Sequence, residues 1–374
     1  MVLIFAGLVM IGLLIVIKKL YVKNWDKGLS VTLELSASEV YPGDEVVIIE
    51  TVYNRKWLPL PIINVKFAID RNLKFVGDVE NTNESDKSYK CDVYSLLFYQ
   101  KIMRRIPFRC AKRGYYVINS LDVVSTDMFM RSVLSTIVPL QQQLIVYPEP
   151  IDSAQVDILY QQIMGTIVTK RYQHEDPFEF RGIREYQTYD TMKSINWNAS
   201  ARSGELKVNV YQDTSAQEVC ILLNLEDEGV WVYEDLKEKS ISLAGSLASR
   251  LIRQGILVSV LSNGADCTSG KEVYLEAGSD ETHSKNIITA LSKVDLNKGM
   301  KDFTELLQEY ESRIKKGAML ILISSCKKER LQEAFSALCA EYSDSIWILP
   351  IGNGMDDEMS KVNPANVRKW EVSH

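Results

Sequence analysis

An uncharged apolar run opens the chain, from residue 1 to residue 17, and two lysines end it. A run of this length is at the short end of what can cross a hydrocarbon core about 30 Å thick. Tyr21, Trp25 and further lysines follow it, as at a membrane interface. Because positive charge lies only on the C-terminal side, we predict a single-pass transmembrane anchor over residues 1–24 in the inner or plasma membrane, with the soluble domains in the cytoplasm.

Two alternatives exist for this run. A cleaved signal peptide is disfavoured because no basic segment precedes the run and no small-residue cleavage site follows it. A buried core helix is also disfavoured, because core helices usually carry a polar face and this run has none.

Between residues 25 and 150, apolar and polar positions alternate with period two, as in strands that bury one face. Turn residues such as Pro42, Gly43 and Asp44 separate the runs. We predict an antiparallel β-sandwich here, with a solvated hairpin tip at 81–85. Its strands are expected at 31–36, 45–53, 62–69, 93–106, 115–124 and 144–147.

The pattern changes after residue 217. Between near-continuous apolar runs, apolar residues recur at helical spacing, and Gly255 and Gly317 end two of these helices. The alternation predicts a doubly wound α/β domain over 217–352, followed by a C-terminal tail at 353–374. The apolar runs, typical of parallel strands covered on both faces, lie at 219–225, 256–261, 318–324 and 346–351.

The overall charge excludes one class of partner. With a formal net charge of −6 and a pI near 5.4, the protein is not built to neutralise phosphates, so no nucleic-acid partner is expected. The six cysteines are scattered with no C-x-x-C pair. This spacing indicates reduced thiols in the cytosol and not a disulfide framework or a zinc site.

One stretch, residues 177–211, mixes arginines, carboxylates and aromatics more densely than any other. Arginine pairs bidentately with carboxylates, and aromatic rings can shield such pairs or stack on the guanidinium planes. We therefore expect a fixed network of side chains here. Its candidate members are Arg181, Gly182, Arg184, Glu185, Tyr186, Asp190, Trp197 and Arg202.

Two interpretations of this stretch are open. As a latch, its ion pairs would clamp the β-sandwich to the α/β domain and fix their angle, since breaking a buried charge pair costs about 3 to 5 kcal/mol. As a partner surface, the same arginines would be exposed and would bind another protein. We favour the latch, and the two can coexist.

The same stretch resembles the signature of a bacterial family known as domain of unknown function 58, and elements at 113–116, 125–129 and 146–148 resemble that family too. Tyr189 and Lys193 depart from its pattern. The resemblance implies a von Willebrand factor A-like second domain and a MoxR-type AAA+ ATPase as partner. The family commonly has two N-terminal helices, and residues 1–24 look like the second. The matching positions are Phe180, Gly182, Arg184, Glu185, Tyr186, Asp190, Ile195, Trp197, Ala199, Ser200, Ala201, Arg202, Gly204 and Leu206.

Metal-binding A domains carry D-x-S-x-S after their first strand, where an open α/β sheet places its ligand crevice. This chain has Asn224, Glu226 and Glu228 at the corresponding positions, and no acid lies near 324–326, where a later aspartate is expected. These residues, with Asp227 among them, are weak candidates for holding a hard cation through oxygen ligands. An acidic solvated loop is the favoured interpretation, so no metal is predicted.

Catalytic motifs are missing from the sequence, which contains no P-loop, no H-E-x-x-H and no G-x-S-x-G. We therefore predict a membrane-anchored, non-enzymatic scaffold or adaptor, without a cofactor, that works with a MoxR-type AAA+ ATPase in complex assembly or remodelling. One alternative is a hydrolase or ligand-binding enzyme with a site around Arg184, Asp190 and His174. Another is a metal-dependent adhesion-type binding module.

Overall fold

A computed structural model of the chain describes residues 2–77, 82–84, 87–126, 133–173, 180–187, 190, 192–211, 218–229, 233–342, 344–352 and 359–372. The protein is mixed α/β. Its contacts divide it into two compact units, Met1–Glu149 and Pro150–His374.

The first unit begins with a helix and continues as strands in two sheets. One sheet has the strand order β1-β3-β8-β5, and the other has the order β2-β10-β9-β4-β7-β6. Neighbouring strands run antiparallel except β2 and β10, which are parallel. The elements are α1 (Val2–Asn24), β1 (Leu29–Leu35), β2 (Glu39–Val40), β3 (Glu45–Asn54), β4 (Leu60–Asp70), β5 (Leu73–Phe75), β6 (Thr82–Glu84), β7 (Lys87–Leu96), β8 (Lys101–Cys110), β9 (Gly114–Thr126) and β10 (Val133–Val146).

Period-two alternation locates these strands because each buries alternate side chains. In β3, for example, every second residue from Val46 is buried, and the inward residues of both sheets belong to one hydrophobic cluster.

Two predictions differ in detail from the structure. The run at 93–106 forms parts of two strands, β7 and β8, separated by a turn. The polar run at 81–85 contributes the edge strand β6, which pairs with β7.

Helix α1 changes environment along its length. From Ile4 onward it is long and apolar enough to cross a membrane, and most of this part is exposed. Near its end, by contrast, Tyr21 and Trp25 are buried in the core of the first unit. The hydroxyl of Tyr21 donates a hydrogen bond to the carbonyl of Thr126 over 3.2 Å. The last turns of α1 are therefore part of the folded β unit.

Gly114 explains one of the family-like elements in the first unit. The hydroxyl of Tyr116 folds back and donates to the carbonyl oxygens of Lys112 and Arg113, at 2.9 and 3.2 Å. A Cβ atom at position 114 would lie 2.9 Å from Cζ of this ring, closer than carbon atoms approach. Glycine is required here because the tyrosine ring passes over the backbone.

The second unit is built on a sheet of order β15-β14-β13-β17-β18-β19, with β16 paired to β14. Strands β13, β14, β17, β18 and β19 are parallel, whereas β15 and β16 run antiparallel to β14. A separate pair, β11 and β12, is antiparallel. The elements are α2 (Ala154–Gln173), β11 (Phe180–Glu185), α3 (Trp197–Ser203), β12 (Lys207–Tyr211), β13 (Glu218–Leu223), α4 (Glu234–Arg253), β14 (Leu257–Asp266), β15 (Glu272–Gly278), α5 (Glu281–Ser292), β16 (Val294–Asp295), α6 (Phe303–Tyr310), β17 (Met319–Ile323), α7 (Glu329–Glu341), β18 (Ile346–Ile351) and β19 (Val367–Glu371).

Helices cover both faces of the parallel sheet, which is why its strands are apolar throughout. Alternate residues of β13 belong to two different clusters, with Ile221 in one and Leu222 in the other. The first cluster contains the apolar faces of α2, α4 and α5, and the second contains those of α6 and α7. The predicted end at Gly255 is confirmed, since α4 ends at Arg253 and Gly255 has a positive φ of 75°. The helix predicted to end at Gly317 ends earlier, because α6 stops at Tyr310 and a 3-10 turn at Glu311–Arg313 follows it; Gly317, with a φ of 85°, lies in the turn before β17.

Several elements of this unit have no counterpart in the sequence-based prediction, among them α2 and β19. Residues 151–216 are predicted as the family signature segment that links the two domains. Helix α2 lies inside this range, yet its residues Val156 and Ile163 are buried in the core, and Asp157 pairs with Arg250 of α4 at 2.5 Å. Strand β19 lies inside the predicted tail and adds an edge to the sheet. Trp370 of this strand is buried in the same core as α2.

Candidate functional site

The family-like stretch folds as a small module of the second unit, which we call the signature hairpin (residues 180–211). Strands β11 and β12 pair antiparallel, with Gly182 opposite Val210 and Glu185 opposite Lys207. Between them lie a short 3-10 helix, Met192–Ser194, and helix α3. The hairpin therefore holds Gly182, Arg184 and Glu185 on a strand and Trp197 and Arg202 on a helix, whereas Tyr186 and Asp190 lie between these elements.

One ion pair fixes the first half of the signature hairpin. The guanidinium of Arg184 donates two hydrogen bonds to the carboxylate of Asp190, both at 2.6 Å, and the backbone N–H of Gln187 donates a third at 2.8 Å. The hydrogen bonds from Arg184 hold the pKa of Asp190 below its usual value, although burial of the carboxylate opposes this. The Asp190 side chain is thus satisfied as an ion.

A second polar frame fixes the other half, and the sequence analysis missed it. Asn196 caps α3 by accepting the N–H of Ala199 at 2.9 Å, and it donates to the side-chain oxygen of Asn209 at 2.6 Å. The hydroxyl of Ser200 donates to the carbonyl of Asn196 and accepts the N–H of Lys207, both at 2.8 Å. Asn196, directly before the residues of α3, was the available signal, since asparagine is a preferred N-cap.

On this fixed backbone the signature hairpin exposes apolar side chains. Trp197 is 64% exposed and Met192 is 73% exposed, and Ile183 and Leu206 are also exposed. Single exposed apolar residues are ordinary, whereas apolar side chains grouped on one face mark binding sites. We call these four residues the apolar surface of the hairpin.

The other predicted members of the network have different environments. Tyr186 is held by its backbone N–H, which donates to the carbonyl of Leu206 at 2.9 Å. Glu185 and Arg202 are exposed, and within the described residues neither forms an ion pair. The side chain of Arg181 lies outside the described residues. Of the expected set of pairs, the structure brings together Arg184 and Asp190, and the latch remains a prediction.

The enzyme alternative requires Arg184 and Asp190 to act on a ligand. In the structure they bind each other bidentately, so both donors of the guanidinium fork and both carboxylate oxygens are engaged. His174, the third residue of that hypothesis, lies outside the described residues.

The candidate cation loop begins with a buried amide network that joins the residues directly after β13 and β17 to Asn263 inside the neighbouring strand β14. Asn224 donates to the hydroxyl of Ser324 at 3.1 Å and accepts from Asn263 at 2.9 Å. Asn263 also accepts the N–H of Leu225 at 2.9 Å and donates to the carbonyl of Lys301 at 3.2 Å. We call Asn224, Asn263 and Ser324 the amide cluster.

The acidic residues of this loop already have protein partners. Glu226 accepts the N–H of Phe303 at 2.8 Å and pairs with the ammonium of Lys328 at 3.3 Å, while Asp227 pairs with Lys237 at 2.6 Å. Glu228 is exposed. Over the described parts of the chain, no group of three or more His, Cys, Asp or Glu side chains is arranged to hold a metal ion.

A second buried polar group lies inside the first unit, and the sequence analysis missed it as well. Glu50 of β3 is fully buried, and Lys90, Asp92 and Tyr94 of β7 are buried with it. Asp92 pairs with Arg104 at 2.5 Å and with Lys90 at 3.4 Å. We call Glu50, Lys90, Asp92 and Tyr94, together with the half-exposed Arg104, the buried charge cluster.

Glu50 is the unusual member of this cluster. Among the residues that the structure describes, no hydrogen bond of good geometry reaches either of its carboxylate oxygens, the Tyr94 hydroxyl or one oxygen of Asp92, although Tyr94 and Asp92 lie close enough to Glu50 to shift its pKa. Burial raises the pKa of Glu50 to about 8; the Tyr94 hydroxyl opposes this rise, and the negative charge of Asp92 adds to it. Glu50 is therefore mostly protonated at neutral pH.

Comparison with known proteins identifies the class of this chain. The family described as "Protein of unknown function DUF58" matches residues 182–368, which is half of the 374-residue chain. The chain therefore belongs to this family. A comparison with curated proteins gives no match.

Several solved structures resemble parts of the chain weakly. The CARDB domain of a Pyrococcus furiosus protein is 14% identical over 32% of this chain and 94% of that domain, with a TM-score of 0.21. A non-cellulosomal cohesin from Archaeoglobus fulgidus is 11% identical over 29% of this chain and 90% of its own, with a TM-score of 0.20. The sporulation control protein Spo0M of Bacillus subtilis is 9% identical over 43% and 58%, with a TM-score of 0.18. TM-scores of this size carry no argument about fold or function.

Proposed function

We propose that this protein is a membrane-anchored, non-enzymatic scaffold or adaptor that works with a MoxR-type AAA+ ATPase in assembling or remodelling a complex. Helix α1 would cross the inner membrane once and hold the soluble units on the cytoplasmic side. The single observation that carries the proposal is the exposure of Trp197 on a hairpin whose backbone is fixed on both sides.

Exposed tryptophan on rigid backbone favours binding over catalysis. Tryptophan and arginine are the residues most often responsible for binding energy in protein interfaces, and a preorganised surface loses little entropy when it binds. Trp197 and Arg202 are both on α3, and both are exposed. By contrast, the pair that an enzyme would use, Arg184 and Asp190, is neutralised within the hairpin.

The finer fold assignment belongs to the same proposal. We infer that the two sheets of the first unit form an antiparallel sandwich, because their inward residues share one core. We infer that the second unit is a doubly wound, von Willebrand factor A-like domain. The order β14-β13-β17-β18 of parallel strands, with helices on both faces, supports this assignment.

The choice of an ATPase as partner comes from family analogy. The family resembled by the hairpin is associated with MoxR-type ATPases, and von Willebrand factor A-like domains often act as adaptors for them. The hairpin supplies what such an adaptor needs, namely a rigid apolar surface with a cation beside it.

The test is a binding titration of the full chain, in lipid nanodiscs, with the purified MoxR-type ATPase of the same organism and ATP. Trp197→Ala is expected to weaken binding at least tenfold, about 1.4 kcal/mol, as for a residue at the centre of an interface. The matched control is Trp57→Ala, which removes another exposed tryptophan, from the first unit, and should leave affinity unchanged.

Two outcomes would overturn the proposal. One is wild-type protein that does not bind the ATPase at all. The other is equal loss of affinity in both tryptophan variants, which would mean that Trp197 has no special part in binding. Since Trp197 is mostly exposed, its removal is not expected to unfold the hairpin, and circular dichroism of the variant verifies this.

A further inference from the structure

Two loops of the first unit expose a cluster of aromatic side chains. Trp57 is 74% exposed, and Leu97, Phe98 and Tyr99 are exposed beside it. The ring of Trp57 lies 5.4 Å from that of Phe98 and 5.7 Å from that of Tyr99, measured between centroids. We call these four residues the aromatic loop patch. It is a continuous apolar surface facing solvent, which a soluble face of a protein rarely carries.

The patch is held rigidly in its exposed position. The side-chain amide of Asn54, which is fully buried, donates to the carbonyls of Leu58 and Leu97, at 2.9 and 2.8 Å, and so ties the two loops together. The N–H of Tyr99 donates to the carbonyl of Lys56 at 3.3 Å. Tyr99 also has a φ of 53°, a backbone conformation that non-glycine residues seldom adopt. These hydrogen bonds and the backbone conformation of Tyr99 hold the aromatic side chains of the two loops in their exposed positions.

The patch lies beside the end of α1. Lys56, the residue before Trp57, directs its ammonium at three carbonyl oxygens where the helix ends, those of Asn24, Trp25 and Lys27. The N–H of Arg55 donates to the carbonyl of Gly28 at 2.7 Å. A lysine that satisfies the last carbonyls of a helix also interacts favourably with the helix dipole. The loop that carries Trp57 is thus bonded directly to the point where the chain leaves α1.

The burial of Tyr21 determines where a membrane would meet this unit. Because Tyr21 is buried in the β unit, a membrane crossed by α1 must lie on the N-terminal side of it. The apolar part of the helix, residues 2–17, spans roughly 24 Å at 1.5 Å per residue, and only Lys18, Lys19 and Leu20 lie between it and Tyr21. No spacer remains between the bilayer and the β unit, so the surface around the end of α1 faces the lipid headgroups.

We propose that the aromatic loop patch is a second membrane contact, in which Trp57, Leu97, Phe98 and Tyr99 insert into the interfacial layer of the leaflet that α1 leaves. The occupant of the patch is the lipid bilayer. Tryptophan and tyrosine are favoured at this depth, since each has an apolar ring and a polar tip. Arg55 and Lys101 flank the patch in the sequence, Lys23 and Lys27 lie around the end of α1, and all four suit anionic headgroups. The inference rests on the proposed anchoring by α1 and adds to it a fixed orientation of the β unit on the membrane.

The test uses the full chain in nanodiscs made with lipids brominated at different depths, since bromine quenches nearby tryptophan fluorescence. Emission of wild type minus that of Trp57→Phe isolates Trp57, and wild type minus Trp197→Phe isolates Trp197, an equally exposed tryptophan of the second unit. Strong quenching of the Trp57 component is expected, greatest for bromines near the headgroup end of the acyl chain, together with an unquenched Trp197 component. The conservative change to phenylalanine keeps a ring at position 57, so the loops should retain their fold.

The outcomes separate this inference from the proposed anchoring. If the protein does not enter nanodiscs, anchoring by α1 fails and this proposal fails with it. If the protein enters nanodiscs but the Trp57 component is not quenched by bromine at any depth, anchoring stands and the second membrane contact is refuted. A Trp57 component that stays unquenched by lipid and changes when a protein partner is added also refutes it, and assigns the patch to that partner.

Discussion

Each unit of this protein contains a cluster of buried polar side chains, and the two clusters differ in how fully their side chains are hydrogen-bonded. In the amide cluster of the second unit, every side-chain nitrogen and oxygen of Asn224 and Asn263 has a hydrogen-bond partner. In the buried charge cluster of the first unit, Glu50 is fully buried with both carboxylate oxygens unpartnered among the described residues. The neutral amides of the second unit are all hydrogen-bonded, whereas the ionisable carboxyl of Glu50 in the first unit is not.

The difference predicts how each cluster responds to its surroundings. A satisfied network of neutral amides contributes stability that does not depend on pH, and removing one member leaves its partners unpaired. An unpaired buried carboxyl avoids the cost of charge by keeping its proton, so its contribution must change with pH. The amide cluster of the second unit therefore ties neighbouring strands together, whereas the buried charge cluster makes the stability of the first unit sensitive to alkaline pH.

The largest expected effect comes from removing a member of the amide cluster. Asn263→Ala leaves the Leu225 N–H and the Lys301 carbonyl without their partner and removes one of the two donors to the Asn224 side-chain oxygen, which keeps the N–H of Glu226. Because each buried unsatisfied group costs about 1 to 3 kcal/mol, we expect a loss of about 3 to 5 kcal/mol, equal at acidic and alkaline pH. Hydrogen–deuterium exchange of β13 and β14, followed by mass spectrometry, measures this loss locally.

Asn297→Ala is the control for this prediction, since Asn297 is exposed and should change stability by less than about 0.5 kcal/mol. A change at Asn263 as small as that of the control would mean that water or neighbouring groups replace the lost hydrogen bonds. The amide cluster would then not be a structural tie.

The second prediction concerns the pH dependence of the first unit. The pKa of Glu50 is raised from 4.5 to about 8, so the folded state binds this proton more tightly than the unfolded state. The stability from this group is therefore fully present below pH 4.5 and is lost as the pH rises through about 8. Since one pKa unit is worth about 1.4 kcal/mol, β3 and β7 should lose several kcal/mol of protection from exchange between about pH 5 and about pH 9.

Glu50→Gln should abolish most of this pH dependence, because glutamine resembles the protonated acid and does not titrate. The measured hydrogen–deuterium exchange rates are corrected for the intrinsic pH dependence of amide exchange. Glu45→Gln, on the same strand but exposed, is the control and should retain the wild-type profile. A wild-type profile that is flat over this range, or a Glu50→Gln profile as steep as wild type, would show that Glu50 is ionised in the folded protein and that Lys90 and Arg104 neutralise it.

Much of the fold could be predicted from periodicity, and the exceptions have physical causes. The parallel strands and helices α4 and α7 follow from apolar spacing alone, because both faces of that sheet are covered. The helix α2 buries Val156, Leu159 and Ile163, but Ile158 and Val168 on its other side are exposed. Its apolar residues are therefore spread around the helix, and spacing alone gives no clear helical face. The strand β19 is too short and mixed to be recognised without its neighbour β18.

The candidate sites were predictable to different degrees. Family-like spacing located the signature hairpin, but composition could not tell that Arg184 pairs with Asp190 while Arg202 stays exposed, since pairing depends on tertiary geometry. Glu50 could have been found by strand parity. Val46, Ile48 and Val52 fix the inward face of β3, and position 50 falls on that face.

The smallest expected effect belongs to Glu226, the acidic residue that sequence comparison places at a metal position. Its carboxylate binds the N–H of Phe303 and the ammonium of Lys328, so the protein supplies the positive charge that a cation would supply elsewhere. We expect Glu226→Gln to cost about 1 to 2 kcal/mol, because one charge-assisted hydrogen bond and a half-exposed ion pair are weakened. Glu228→Gln, at an exposed position of the same loop, should have no effect.

We also expect the wild-type unfolding temperature to be the same with Ca²⁺, with Mg²⁺ and with a chelator. A rise with either ion that disappears in Glu226→Gln would mean that the loop binds the ion in preference to Lys328, since a ligand of the folded state raises stability by mass action. The amide cluster beside it would then be the floor of a metal site and not a tie between strands.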